Sequence, residues 1–239
     1  MYKQVFRRDE KKYLLSATQK LKLLEAIDQY IEPDKYFAST ICSLYFDAPT
    51  QDLIIQSIGK PVYKQKIRLR SYGIPNLCSD VFLEAKIKFR GIVSKRRFKI
   101  KLSDFYAYYE ELNSARGQPI LKSADSPQIA RELDYLFHFY KLQPNWIVCY
   151  DRKSYCGRDN PHLRITFDEN LRSRRDQLRL EAGDKGKTFF SNQTCVMEIK
   201  ALDAMPLWLT RTLSQLEIYP ASFTKYGNIY KQFKKGTTC

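Results

Sequence analysis

Histidine occurs only twice among the 239 residues, and no two of the six cysteines stand in a C-x-x-C pair. Zinc sites in their usual Cys and His spacings are therefore excluded. Cys42, Cys78, Cys149, Cys156, Cys195 and Cys239 are too dispersed for a disulfide frame and read as buried or incidental thiols in a reducing compartment. Long apolar runs are missing too. No window approaches the roughly 18 uninterrupted apolar residues of a membrane span, and the opening MYKQVFRRDEKK is charged where a secretory leader needs an apolar centre. The expected setting is cytoplasmic, with no membrane segment. Repeats, low-complexity tracts and long linkers are absent, which predicts one folding unit over residues 1–239. Acidic residues are scarce relative to basic ones: 26 Asp and Glu face 41 Lys and Arg, a net charge of +15. Such an excess attracts polyanions, whether nucleic acid, anionic lipid or polyphosphorylated small molecules, without choosing among them.

What is present is well punctuated. Ser16 with Gln19 forms a capping box ahead of KLKLLEAIDQYI, whose Leu21, Leu24 and Ile27 recur at helical spacing. Pro49 opens a short helix that Gly59 can close, and Ser103 opens DFYAYYEEL. Ser126-Pro127 starts QIARELDYLFHFYKL, Asp203 or Ala204 precedes MPLWLTRTLSQL, and SFTKYGNIYKQF is a final helix. Strands are expected at 5–15, 39–47, 62–72, 80–89, 92–101, 145–156, 162–168 and 194–201. The expected fold is α+β: an antiparallel eight-stranded tunnel barrel with helices packed on the outside.

Strand periodicity puts side chains two apart on one face. On that rule Glu10 lies with Lys12, Arg68 with Arg70, Glu84 with Lys86 and Lys88, Lys95 with Arg97 and Lys99, Arg164 with Asp168, and Glu198 with Lys200. VFLEAKIKF and VMEIKAL carry an apolar face opposite their charges. A single strand of this kind usually turns its ionic side to water. Here the ionic sides are mostly Lys and Arg, and the helices have apolar faces with which to cover the other side. The ionic sides are then left to line a lumen. About nine cations so enclosed require an anion, because unpaired buried charge costs several kcal/mol per ion. Arginine takes phosphate oxygens bidentately, lysine acts as a point charge, and a divalent ion on a glutamate can bridge the remaining oxygens. A triphosphate and a long polyphosphate fit equally well.

The blocks FRRDEKKYLLS, SLYFDAPTQDL, KIRLRSYG, FLEAKIKFRGIVSKRR, YDRKSYCGRDNPHLRITFDENLRSR and MEIKALDAMPLWLTRTLSQLEIYPASFTKYG run in order from about residue 4 to 232. They make the chain resemble the polyphosphate polymerase (VTC) domain of the vacuolar transporter chaperone family, within the triphosphate tunnel metalloenzyme (CYTH-like) superfamily. The resemblance implies a phosphotransferase that moves the γ-phosphate of ATP onto polyphosphate with Mn2+ or Mg2+. Its phosphate-binding positions match Lys12, Arg68, Arg70, Lys86, Arg97, Arg152, Arg164, Lys200 and Lys225, with Tyr150 beside the phosphates. Its metal-binding glutamate matches Glu198, with Glu10 and Glu84 as supplementary ligands. Arg68, Arg70, Lys86, Arg152, Arg164 and Glu198 would carry the catalysis. Hydrolases and cyclases of the superfamily begin E-x-E-x-K, whereas here Arg8-Asp9-Glu10-Lys11-Lys12 puts arginine at the first position. One fewer carboxylate weakens a two-metal hydrolytic site and favours polymerase over triphosphatase. The chain lacks the phosphate-sensing domain and membrane segment of the larger eukaryotic members and looks like a stand-alone catalytic domain of prokaryotic type.

Two alternatives stay open: a triphosphatase of the same fold that uses water as acceptor, and a non-catalytic polyphosphate-binding module. Nucleic acid is not an expected partner, because the charges are spread over many strands and no RNP-like or helix-turn-helix pattern is present. His138, in LDYLFHFY, reads as a core or boundary residue, and His162 as part of a turn in DNPHLR. Asp151 and Asp168 read as salt-bridge partners, and the basic run RSRRDQLRL as a solvated face.

Overall fold

The structure is a computed structural model that describes residues 8–59, 61–90, 92–114, 121–122, 126–190, 194–202 and 204–236. Along the chain the elements are β1 (Arg8–Ser16), α1 (Ala17–Ile27), β2 (Ile31–Asp47), α2 (Asp52–Ile58), β3 (Tyr63–Tyr72), β4 (Asp80–Phe89) and β5 (Ile92–Lys101). After them come α3 (Leu102–Leu112), α4 (Pro127–Tyr140), β6 (Gln143–Gly157), β7 (Arg164–Arg174), β8 (Lys187–Thr188), β9 (Thr194–Leu202), α5 (Leu207–Gln215) and α6 (Lys225–Gly236). Residues 5–7 of the first expected strand, Asp203 and Cys239 lie outside the described residues.

All nine strands belong to one antiparallel sheet, ordered β1-β9-β7-β6-β2-β3-β4-β5, with the two-residue β8 beside β7. The eight long strands are those expected, and β2 and β7 reach further than expected. Among the described residues no pairing joins β1 to β5, so the strand path is open and no backbone seam closes the expected barrel. The edges explain it. Beside β1, Tyr13 bridges to Pro220, and the Ala221 N–H donates to the Lys12 carbonyl at 2.7 Å. Strand β5 carries Lys95, Arg96, Arg97 and Lys99 along its length, a charge pattern that discourages another strand from adding there.

The chain divides into two compact units. The first comprises the residues up to Thr40, Tyr150–Leu171 and Thr188–Thr224; the second comprises Ile41–Cys149, Arg172–Lys187 and the chain from Lys225.

In the first unit, Tyr13, Phe167 and Met197 pair across β1, β9 and β7 on one face. They are buried with Leu23 and Ile27 of α1 and Leu209 and Leu213 of α5. The expected capping box starts α1: the Gln19 N–H donates to Ser16 Oγ at 3.1 Å, and the Ser16 N–H donates back to Gln19 Oε1 at 3.1 Å.

In the second unit, Leu44, Leu69, Leu83 and Phe98 form one rung across β2 to β5. Phe105 of α3 and Phe137 of α4 pack over that face, and the Phe137 ring meets those of Phe46, Phe105 and Tyr108 edge-on. The short α2 begins at Asp52, three residues after Pro49, because a buried carboxylate supplies its cap. Asp47 accepts the N–H of Leu53 and Ile54 at 2.9 and 3.0 Å and the Tyr226 hydroxyl of α6 at 3.2 Å. Phe137 is fully buried, so Phe137→Ala should lower unfolding stability in urea by about 3–5 kcal/mol. A loss below about 1 kcal/mol would show that α4 does not hold this core together.

Candidate functional site

Each unit pairs its oily face with an ionic one on the other side of the same strands. In the second unit Tyr45, Arg68, Glu84 and Arg97 stand directly opposite one another across β2, β3, β4 and β5. Lys66, Lys86 and Lys95 form the next rung on that face. Glu84 is 2 % exposed and four cations share its carboxylate. Arg68 approaches Oε2 at 2.8 Å, while Arg70, Lys95 and Arg97 lie at 2.7, 2.9 and 3.8 Å from Oε1. Burial alone would push the Glu84 carboxyl up, but Arg68, Arg70 and Lys95 outweigh it and hold the group down at about 2. Burial brings Lys95 down to about 8 in spite of its glutamate, with Arg70 and Arg68 adding to the effect. Among the described contacts, four cations are thus set around one carboxylate. Ser43, opposite Arg70, is fully buried on this face, and its Oγ has no hydrogen-bond partner among the described residues.

The first unit repeats the theme with a different balance. Lys12 stands opposite Glu198, and Glu10 opposite Lys200, across β1 and β9; Arg164 and Thr166 of β7 continue those two rungs. Lys200 Nζ lies 2.8 Å from Glu198 Oε1, and Lys12 Nζ bridges Glu10 and, at 4.0 Å, Glu198. Arg152 is held bidentately by Asp168 at 2.6 and 2.8 Å, with the Tyr150 ring 5.4 Å below its guanidinium. Burial disfavours its charge, but Tyr150, Asp168 and Glu198 more than restore it. Arg164 bonds Ser154 at 3.0 Å and Asp34 at 2.9 Å. Carboxylates here offset the cations. Thr166 is 5 % exposed and its Oγ1 has no hydrogen-bond partner among the described residues.

Most of the expected residues are thus gathered into one or the other ionic face: Arg68, Arg70, Lys86, Arg97 and Glu84 in the second unit, and Glu10, Lys12, Tyr150, Arg152, Arg164, Glu198 and Lys200 in the first. Lys225 opens α6, next to Tyr226, which stacks on Tyr45 at 4.4 Å. Sequence reasoning missed Lys95, which sits closer to Glu84 than Arg97 does. It also missed Tyr45, whose hydroxyl accepts from Arg68 at 3.2 Å. The Lys95 signal was available, since it falls on the Arg97 face. In the basic run from residue 172, Arg175 and Arg179 are exposed as expected, but Arg172 and Arg174 are not. Arg172 pairs with Asp184, and the buried Arg174 donates to the carbonyls of Lys185 and Arg179 at 2.7 and 3.2 Å, stapling the loop between them. Asp151 accepts from Thr40 and Asn170 at 3.0 and 2.9 Å. His138 is exposed rather than packed, with Nδ1 2.9 Å from the Asp134 carbonyl. His162 lies in the expected turn, its N–H on Asn160 Oδ1.

A cleft of about 490 Å3 opens between α4 and β4–β5, lined by Ala85, Ile87, Arg96, Leu133, Tyr135 and Leu136. It lies on the oily side of those strands, away from Arg68 and Glu84, and its lining also includes Arg131 and Glu132, the latter paired with Arg96 at 2.9 Å.

The model of the VTC domain matches residues 7–234. The chain belongs to the VTC domain family. Two solved structures share its fold. A candidate adenylate cyclase from Vibrio parahaemolyticus aligns over 95 % of this chain and 99 % of its own, at 11 % identity and a TM-score of 0.53. A candidate adenylyl cyclase from Hippeastrum, described as revealing a dominant triphosphatase activity, aligns over 95 % of this chain and 96 % of its own, at 15 % identity and a TM-score of 0.50. At these identities the likeness is one of fold. No curated protein matches the chain.

VTC membership raises the question of a metal. Among the described residues no three Asp, Glu, His or Cys side chains gather as ligands. Magnesium-type ions ordinarily need only one or two carboxylates, with phosphate oxygens and water completing the shell. Glu198 and Glu10, tied through Lys12, fit that requirement. Glu84, enclosed by four cations, does not.

The Glu84 carboxyl falls from 4.5 to about 2 on folding. A lowered carboxyl contributes stability above its unfolded value and loses it as pH falls through the folded one. That contribution, of order 3 kcal/mol, should be complete at neutral pH and disappear between 4.5 and about 2. Urea unfolding of wild type and Glu84→Gln at neutral and acid pH checks it. The variant should be weaker at neutral pH and lack this acid dependence; equal stability at neutral pH contradicts the reading.

Proposed function

We propose that this VTC domain extends inorganic polyphosphate from the γ-phosphate of ATP. The observation that supports the reading is the gathering of four cations around the single carboxylate of Glu84, on a strand face where the buried Ser43 hydroxyl has no partner among the described residues. Carbohydrate, peptide or neutral nucleoside would leave those charges uncompensated, whereas a phosphate chain supplies several anionic oxygens in series.

In the transfer, an oxygen of the terminal phosphate of the chain attacks the γ-phosphorus of ATP. The bond from that phosphorus to the β,γ-bridging oxygen breaks, and ADP leaves. The acceptor is already an anion, so the step needs no general base, and positioning with charge neutralisation supplies the catalysis. Arg68, Arg70, Lys86 and Lys95 are suited to hold successive phosphates, with Arg97 at the margin. Arg152 is pre-set by Asp168, and Arg164 by Asp34 and Ser154, so each meets an anion with little side-chain ordering left to do. Lys12, Lys200 and Lys225 neutralise further oxygens. Glu198 with Glu10 would hold a divalent Mn2+ or Mg2+ ion, which when bound supplies neutralisation of phosphate charge.

Water as acceptor would make the chain a triphosphatase. Arg8 standing where the E-x-E-x-K pattern has its first carboxylate leaves the site short of ligands for a second metal. Incubation of the purified protein with ATP and manganese, followed by gel analysis, should give polymer that exopolyphosphatase degrades; orthophosphate alone would overturn the polymerase reading. Glu198→Gln should lower metal-dependent turnover by at least about 100-fold, within the range for loss of a group that stabilises transition-state charge, with the fold still intact by circular dichroism. Unchanged turnover would remove Glu198 from the site.

A further inference from the structure

The ionic face of the second unit ends in two aromatic rings. Along β3, Arg68 and Arg70 are followed on that face by Tyr72; along β4, Phe82 precedes Glu84 and Lys86 on it. The apolar core lies against the opposite face, among Ile67, Leu69, Leu83 and Ala85, so neither ring is there to fill it. Phe82 stands between Arg70 of β3 and Lys99 of β5. Its ring meets that of Tyr72 edge-on, with centroids 5.8 Å apart at 87°. Tyr72 is 50 % exposed.

Two arginines join these rings to the Glu84 cluster. The Arg70 guanidinium lies 5.0 Å from the Tyr72 ring and donates to Glu84 Oε1 at 2.7 Å. That of Arg97 lies 4.2 Å from the Phe82 ring and 3.8 Å from the same carboxylate oxygen. Rings interleaved with guanidinium planes are a surface on which a flat heteroaromatic base stacks, since its π-face suits both partners. Each ring is two residues from a member of the cluster, roughly 7 Å along the strands, a gap that a ribose and its first phosphate bridge. Beyond the rings Asp80 holds Lys99 and Lys101 at 3.3 and 2.8 Å, which ends the row. In the other direction the row continues through Arg68, Lys95 and Lys86, and phosphates would run that way.

We propose that Tyr72 and Phe82, with Arg70 and Arg97, are a stacking platform for the base of a nucleoside triphosphate, whose phosphates point into the cluster around Glu84. The proposal rests on the phosphate-binding reading of that face and adds the nucleoside to it. One ring pair beside one phosphate-binding cluster suits a single nucleotide, whereas a nucleic acid strand uses successive rings for successive bases.

The test is calorimetric titration of the full chain with ATP and, separately, with tripolyphosphate and with a single-stranded oligoadenylate. Tyr72→Ala should weaken ATP binding about tenfold, within the range for loss of one stacked base, and leave tripolyphosphate affinity unchanged. Tyr72→Phe, which keeps the ring, should bind ATP as wild type does. The position is half exposed, and circular dichroism of the variants checks that the fold is kept. If tripolyphosphate binds but Tyr72→Ala leaves ATP affinity unchanged, the platform falls alone and the phosphate reading stands. Equal weakening of ATP and tripolyphosphate would also overturn it, by reducing Tyr72 to a support for Arg70. Weakened oligoadenylate binding with unchanged ATP binding would assign the rings to nucleic acid instead. A wild-type chain that does not bind tripolyphosphate would overturn both readings.

Discussion

A single glutamate among four cations sets the terms for the second unit. Glu84 cannot be buried without Arg68, Arg70 and Lys95, because an unpaired carboxylate in that position would cost several kcal/mol. Equally, those cations cannot crowd one strand face without it. Four cations to one carboxylate is more than a simple ion pair requires. In the first unit the same strand geometry is tuned to balance, with Glu10, Glu198 and Asp168 offsetting Lys12, Lys200 and Arg152. On the proposed function, one face would take phosphate alone and the other phosphate accompanied by a divalent ion.

The oily faces make this arrangement possible. Because side chains alternate, every inward Leu, Ile or Phe that packs under α1, α5, α3 or α4 commits its neighbours to the ionic side. A one-residue slip in β4 would bury Lys86 and expose Ala85 and Ile87. Register is therefore held by the core, and the core positions the charges. Asp47 extends the same logic to the helices, joining α2 and α6 to the end of β2 through one buried carboxylate.

Much of this was legible in the sequence, because alternation and capping are local signals. KIRLRSYG and VFLEAKIKF showed which residues share a face, and Ser16 with Gln19 marked the start of α1 where both capping bonds are found. The misses have physical causes. Residues 31–38 of β2 carry Pro33, Asp34 and Lys35 and are largely exposed, so neither face shows an apolar period. The extension of β7 to Arg174 was hidden by its arginines, which bond carbonyls of a following loop that no local pattern reveals. Lys95 was passed over for Arg97 because both fall on one face, and only the cross-strand distances rank them. The open path from β1 to β5 was also invisible, since alternation reports faces and not which edges meet.

The central claim is that the ionic strand faces bind a chain of phosphates instead of merely facing water. Calorimetric titration with tripolyphosphate over a range of salt concentrations tests it most directly. The account predicts saturable binding that weakens as salt rises and that falls about tenfold or more in Arg68→Ala and in Lys95→Ala, consistent with the loss of one charge-assisted contact. Absence of saturable binding, or affinity unchanged in both variants, would contradict it.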